Sequence, residues 1–183
     1  MGTIRFSDIA STYNEYLDTL YSYALHLGFD EPTAMDAIHD VFYKLCTQHA
    51  SLDEISNLKF YLFRSLRNRL IDMQRTNREY PGMLPVEDIR ENLSFQLNVT
   101  VEDELIEKED SEEIRLRVES VLSRLTDHQR EIIYLRYIQE YSYEEIAELM
   151  QISIAACRNL ISKSLSKLKE SSLPIIFLFL MIH

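Results

Sequence analysis

The sequence predicts an all-α protein: two small helical domains joined by an acidic flexible linker, with a helix-turn-helix in the C-terminal domain. Three observations carry this. Only three glycines and four prolines interrupt 183 residues, too little punctuation for many short strands. Apolar residues recur at helical spacing over most of the chain. Negative charge is concentrated in one central stretch: residues 1–80 carry 8 basic and 11 acidic side chains, residues 81–112 carry 2 and 10, and residues 113–183 carry 9 and 9. The net charge of −11 argues against tight DNA binding by the chain alone, yet leaves both ends able to present basic faces.

The first domain spans residues 1–80. Its first helix runs from about Phe6 to Leu27, with Phe6, Ile9, Ala10, Tyr13, Leu17, Leu20, Tyr21, Ala24 and Leu25 as its stripe. Gly28 closes it. Asp30 caps the next helix and Pro32 fits its first turn, with Ala34, Ala37, Ile38, Val41, Phe42 and Leu45 facing the core. A polar stretch, Thr47–Ser56, leads to a third helix over about Asn57–Arg78. Residues 81–112 then begin with Pro81, Gly82 and Pro85 and continue through Glu102-Asp103-Glu104 without a sustained apolar stripe, which predicts an extended, self-repelling linker.

The second domain, residues 113–172, opens with Ile114, Val118, Val121, Leu122 and Leu125. Thr126 with Gln129 and Ser142 with Glu145 are two capping boxes, starting helices that end near Tyr137 and Met150. Ser153 caps a third helix that reaches about Lys169. The segment Tyr143–Lys169 has helix-turn-helix spacing, with Ala147 small enough for a close crossing and Ile146, Met150, Ile152, Cys157 and Leu160 as shared core. Projected at roughly 100° per residue, Ile154, Cys157, Leu160, Ile161, Ser164, Leu165 and Leu168 share the buried arc. Gln151 stands where such turns usually carry glycine in a left-handed conformation, at a cost of roughly 1 kcal/mol.

Two faces are basic. The last helix offers Arg158, Asn159, Ser162, Lys163, Ser166 and Lys169 opposite its apolar arc, with Lys167 at the edge. Such a face suits a major groove and also suits simple solvation. In the third helix, six basic residues between Lys59 and Arg78 face one acid, Asp72. Arg64, Arg67, Asn68, Arg75 and Arg78 lie within about 100° of one another, with Phe60 and Ile71 among them. Cations interleaved with apolar and aromatic groups suit separated DNA strands. Arg69 projects into the apolar arc and is read as pairing with Asp72.

Other chemistries find no support. Cys46 and Cys157 read as reduced core residues, and Cys46-x-x-His49 is only half of a zinc spacing. No glycine-rich phosphate loop or nucleophile–base arrangement is visible, so no catalysis, metal or cofactor is expected. Met1–Phe6 has no apolar run of the signal-peptide kind. The apolar tail, residues 173–183, holds eight consecutive apolar residues, Ile175–Ile182, far short of the roughly 20 that a spanning helix needs. A soluble, cytoplasmic protein is the expectation. The tail is read either as packing on its own domain or as a docking segment for an inhibitory partner or a membrane surface, any membrane contact being indirect.

Tyr61–Arg75 (Y-L-F-R-S-L-R-N-R-L-I-D-M-Q-R) resembles the promoter-melting helix of sigma-70-like RNA-polymerase sigma factors. Ala34–Leu45 resembles the helix before it, and Leu125–Met150 is similar to the start of the family's C-terminal domain. The short chain resembles the extracytoplasmic-function group. The resemblance implies a protein that binds core RNA polymerase and directs promoter-specific initiation. Asp36, His39, Asp40 and Phe42 would dock on the β′ clamp helices, although the family often has glutamine at His39. Phe60, Arg64, Arg67, Asn68, Arg75 and Arg78 would open and hold the minus-ten element as single strands, with Thr47–Ser56 pocketing a flipped base. Arg158, Asn159, Ser162, Lys163, Ser166 and Lys167 would read the duplex minus-thirty-five element. Leu160, where relatives often carry a basic residue, and Ala155 and Ala156, which lack hydroxyls, imply an altered promoter preference. The acidic linker would thread polymerase channels, or serve only solubility, and the β subunit and an anti-sigma factor are further implied partners. A two-domain regulator binding duplex DNA directly, or a helical protein-binding adaptor, are the alternatives; only a promoter-melting protein needs the basic-aromatic third helix.

Overall fold

The computed structural model describes residues 6–48, 52–76, 93–97, 116 and 118–169. The chain divides into two compact units, Met1–Ser94 and Phe95–His183.

In the N-terminal unit, α1 (Phe6–His26), α2 (Glu31–Gln48) and α3 (Leu58–Thr76) pack on one another in all three pairs. α1 ends at Gly28, whose φ of 81° is left-handed and therefore favours glycine; its N–H bonds the Leu25 carbonyl. Two residues on, the Asp30 carboxylate accepts the Thr33 N–H at 2.9 Å, capping α2. The Thr33 side-chain and backbone hydrogen bonds hold Asp30 below the usual carboxylate range, since they stabilise its charged form. The stripe of α2 is buried as its periodicity predicts, at Ala34, Ala37, Ile38, Val41, Phe42 and Leu45. The stripe of α1 is shifted: Leu20 and Ala24 are buried, Leu25 is exposed, and Tyr23 lies wholly inside with its ring 5.0 Å from that of Phe63. Asn57 caps α3 by accepting the Phe60 N–H at 3.1 Å. A short 3₁₀ turn, Leu52–Glu54, precedes it.

The C-terminal unit is built on α4 (Asp127–Ile133), a π-helical turn over Tyr134–Ile138, α5 (Tyr143–Met150) and α6 (Ile154–Lys169). Both capping boxes form, Thr126 with Gln129 and Ser142 with Glu145. Ser153 caps α6 through the Ala156 N–H. The helix expected to reach Tyr137 continues past Ile133 with a wider pitch, the Gln139 N–H reaching the Tyr134 carbonyl five residues back. Gln151 has φ 56° and ψ 46°, the left-handed conformation expected of that position. α6 packs on both α4 and α5, with Ile146, Ala147, Met150, Cys157, Ile161, Ser164 and Leu168 buried.

Part of the expected extended linker belongs to this unit. Phe95 is fully buried, its ring 5.5 Å from Tyr134. Its N–H bonds the Asp127 carboxylate, and its carbonyl accepts from Arg130 Nε at 2.6 Å. The Arg130 guanidinium also bonds the Leu122 and Leu125 carbonyls and pairs with Asp127. Burial of one large aromatic with its backbone groups satisfied outweighs the lack of an apolar stripe around it. The rest of the linker, apart from Leu93, Ser94, Gln96 and Leu97, lies outside the described residues, as do the tail, His49 and Arg78.

Candidate nucleic-acid and polymerase interfaces

Helical spacing places Asp36, His39, Asp40 and Tyr43 on one face of α2. Asp36 and His39 are exposed, and His39 meets Tyr13, whose hydroxyl is 3.2 Å from Nε2 and whose ring stacks at 6.1 Å. Phe42, expected on this face, is not there. It is 5 % exposed and packs edge-on against Tyr13 at 5.0 Å; it continues the Ile38–Val41–Leu45 stripe, and burial of a phenyl ring prevails over exposure. Tyr43 is the aromatic that this face does present, 70 % exposed. The sequence carried its signal, one turn beyond His39 and Asp40 and two beyond Asp36, but an aromatic in an apolar-rich helix reads first as core.

Asp40 joins α2 to α3. Its carboxylate takes both Arg69 Nε and Nη2 at 2.7 Å, in place of the Arg69–Asp72 pair expected from the sequence. Asp72 instead lies 3.8 Å from Arg75. Beside the bridge is a cleft of about 290 Å³ lined by Lys44, Tyr61, Arg64, Asn68 and Asp72 among others. It gathers two of the expected minus-ten residues, Arg64 and Asn68, with Lys44 from α2 and Tyr61 from α3. Arg75 is exposed and Phe60 half-buried. Arg67 departs from the expectation: it is 1 % exposed. The arc shared with Phe60 and Ile71 turns partly inward, so Arg67 sits among Leu62, Phe63, Leu66 and Leu70 on the buried side of α3. Cys46, read as core, is exposed on α2, whereas Cys157 is buried. Burial pushes the Cys157 thiol up, aided by the Glu144 charge and opposed by Arg136 and Arg158, which leaves it protonated and unreactive. Among the described residues no cluster of ligand side chains fits a metal ion, and no helix is long and apolar enough to cross a membrane.

On α6, Arg158, Asn159, Ser162, Lys163 and Ser166 form a continuous exposed face. Lys167 is turned away from it. Its ammonium bonds the Arg124 carbonyl at 3.2 Å and Gln129 Oε1 at 2.9 Å, fastening α6 to the start of α4. Ile154, assigned to the buried arc, is 40 % exposed, and Ala155 and Ala156 beside it are exposed too. The first turn of α6 therefore offers methyl groups, which suit thymine methyls in a major groove. Periodicity missed Ile154 because a helix's first turn projects beyond the partners that bury the rest of its face.

The family model for sigma-70 region 2 matches residues 12–80, and that for sigma-70 region 4 matches residues 115–168. The chain belongs to the sigma-70 family. Among its relatives in Bacillus subtilis (strain 168), the ECF RNA polymerase sigma factor SigM is 25% identical over 170 residues, covering 88% of this chain and 93% of SigM. RNA polymerase sigma factor SigZ is 26% identical over 166 residues, covering 89% of this chain and 86% of SigZ. The fold matches that of the sigma factor RpoE solved in complex with the anti-sigma factor NepR from Bartonella quintana, with a TM-score of 0.56 and 24% identity, covering 90% of this chain and 96% of that one. The region 2 match contains the α2 face and the cleft, and the region 4 match contains the Arg158–Ser166 face.

Proposed function

We propose that this sigma factor binds core RNA polymerase and directs promoter-specific transcription initiation, itself performing no catalysis. One observation carries the reading. A single chain holds, in family order, a region 2 helix with Arg64 and Asn68 at a cleft and a region 4 helix with a continuous polar and basic face. The first suits separated strands, where cations follow phosphates and rings accept bases. The second suits duplex DNA.

The residues divide accordingly. Asp36, His39 and Tyr43 dock on the polymerase clamp helices, an exposed aromatic among acids being a good anchor against a basic surface. Phe60, Arg64, Asn68 and Arg75, with Lys44 and Tyr61, hold the opened minus-ten element. Arg158, Asn159, Ser162, Lys163 and Ser166 read the minus-thirty-five element, and Ile154 and Ala155 add apolar contact. The protein acts in the cytoplasm, and an anti-sigma factor restrains it, a role supported by the relative bound to NepR.

Run-off transcription with purified core polymerase on a pool of promoter templates tests this. The expected result is initiation at a defined subset of templates, dependent on the added chain. Initiation at none of them, together with tight duplex binding in the absence of polymerase, would sink the sigma reading in favour of a conventional regulator.

A further inference from the structure

We propose that Tyr143 is a positioning residue for promoter reading: its ring holds the Arg158 guanidinium in the orientation that meets DNA, and Arg136 holds the ring. The inference rests on the sigma reading above and adds a residue outside the exposed face of α6.

The observations form a chain from the body of the unit to the recognition helix. The Tyr141 carbonyl accepts from Arg136 Nη1 at 2.7 Å. The Arg136 guanidinium carbon then lies 5.0 Å from the centroid of the Tyr143 ring. The Arg158 guanidinium carbon lies 5.6 Å from the same centroid. Both distances are within the roughly 6 Å over which a ring's quadrupole attracts a cation. Tyr143 itself is the first residue of α5, directly after the Ser142 cap, so its backbone is fixed. The other restraint on Arg158 is weak: Glu144 is 4.0 Å away, with both side chains more than half exposed, and such pairs contribute little. The ring adds a second restraint, of the same order, on a side chain that otherwise samples many rotamers. Freezing an arginine on a base edge or phosphate costs entropy, and restraint in the free protein lowers that cost.

The test uses the full chain assembled with core polymerase, on the promoter that the wild-type holoenzyme selects from randomised duplexes. Tyr143→Phe keeps the π face and should bind like wild type. Tyr143→Leu keeps bulk but not the quadrupole, and should weaken promoter binding about fivefold, the scale of one exposed cation–π contact. In an Arg158→Ala background the same change should cost nothing more. Thermal unfolding of each variant monitors folding, with Tyr143→Met replacing the leucine variant should that one unfold. In the free wild-type chain, the Arg158 Nε–H proton should show a ring-current displacement in its NMR spectrum that Tyr143→Leu abolishes. A folded Tyr143→Leu that binds like wild type overturns the proposal, as does an undiminished effect in the Arg158→Ala background. A Tyr143→Phe as impaired as Tyr143→Leu also overturns it, since the hydroxyl would then be the functional group. A wild-type chain that initiates nowhere sinks the sigma reading itself, which separates that failure from an indifferent Tyr143.

Discussion

Phe42 and Tyr43 are neighbours in sequence and opposites in role. Phe42→Ala removes a buried ring in contact with Tyr13 and should destabilise the N-terminal unit by about 3–5 kcal/mol. Tyr43→Ala and Asp36→Ala remove exposed groups and should leave the melting temperature within a degree or two while weakening association with core polymerase severalfold. Calorimetry and a core-binding titration on the three variants separate the roles; a Phe42→Ala protein of wild-type stability would contradict the assignment of Phe42 to the core. Asp36 and His39 are exposed, as polar residues one turn apart on a helix imply, whereas Asp40 is half-buried in its bridge to Arg69. The sequence could not assign Phe42, since one aromatic satisfies both a core stripe and a docking face. Arg67 was illegible for a related reason. Phe60, Ile71 and Arg67 share an arc, and a helical wheel says which residues lie together, not which of two mixed arcs turns inward.

At the scale of elements, the ends of helices were the most legible features. Thr126–Gln129, Ser142–Glu145 and Ser153 each announced a start that the structure contains, because a cap requires one side-chain oxygen at a fixed offset from an N–H. Phe95 was illegible because a single buried aromatic in an acidic stretch has no period to reveal it. Its anchor consists of side chains, Asp127 and Arg130, more than thirty residues away. The turn between α5 and α6 allows a sharper test. Gln151 has a positive φ that costs a non-glycine residue roughly 1 kcal/mol. Gln151→Gly should therefore raise the melting temperature of the C-terminal unit by about 4–8 °C without changing promoter selectivity, as read by thermal unfolding and by template competition. An unchanged or lowered melting temperature would show that the glutamine side chain compensates for its backbone.

For the whole molecule, charge is the organising quantity. The net charge of −11 is set mainly by residues 81–112, while residues 113–183 balance at nine against nine. A free chain should meet DNA with a repulsive field overall, despite the basic face on α6. Replacing Glu102, Asp103 and Glu104 by Gln, Asn and Gln should raise the affinity of the free chain for non-specific duplex severalfold at low salt, by fluorescence anisotropy. The difference should vanish near 0.5 M salt, where the Debye length falls to roughly 4 Å. Persistence of the gain at high salt would mean the acids act by contact and not by field. The two capping boxes bear on the same chain in time. Each closes between residues three positions apart, so it forms without the loop-closure entropy that delays distant contacts. The reading half of the protein can thus begin to organise locally, one helical turn at a time, before Phe95 and Arg130 meet across their longer loop. During synthesis the order is reversed in one respect: Phe95 is made more than thirty residues before Asp127 and Arg130, the side chains that fix its backbone.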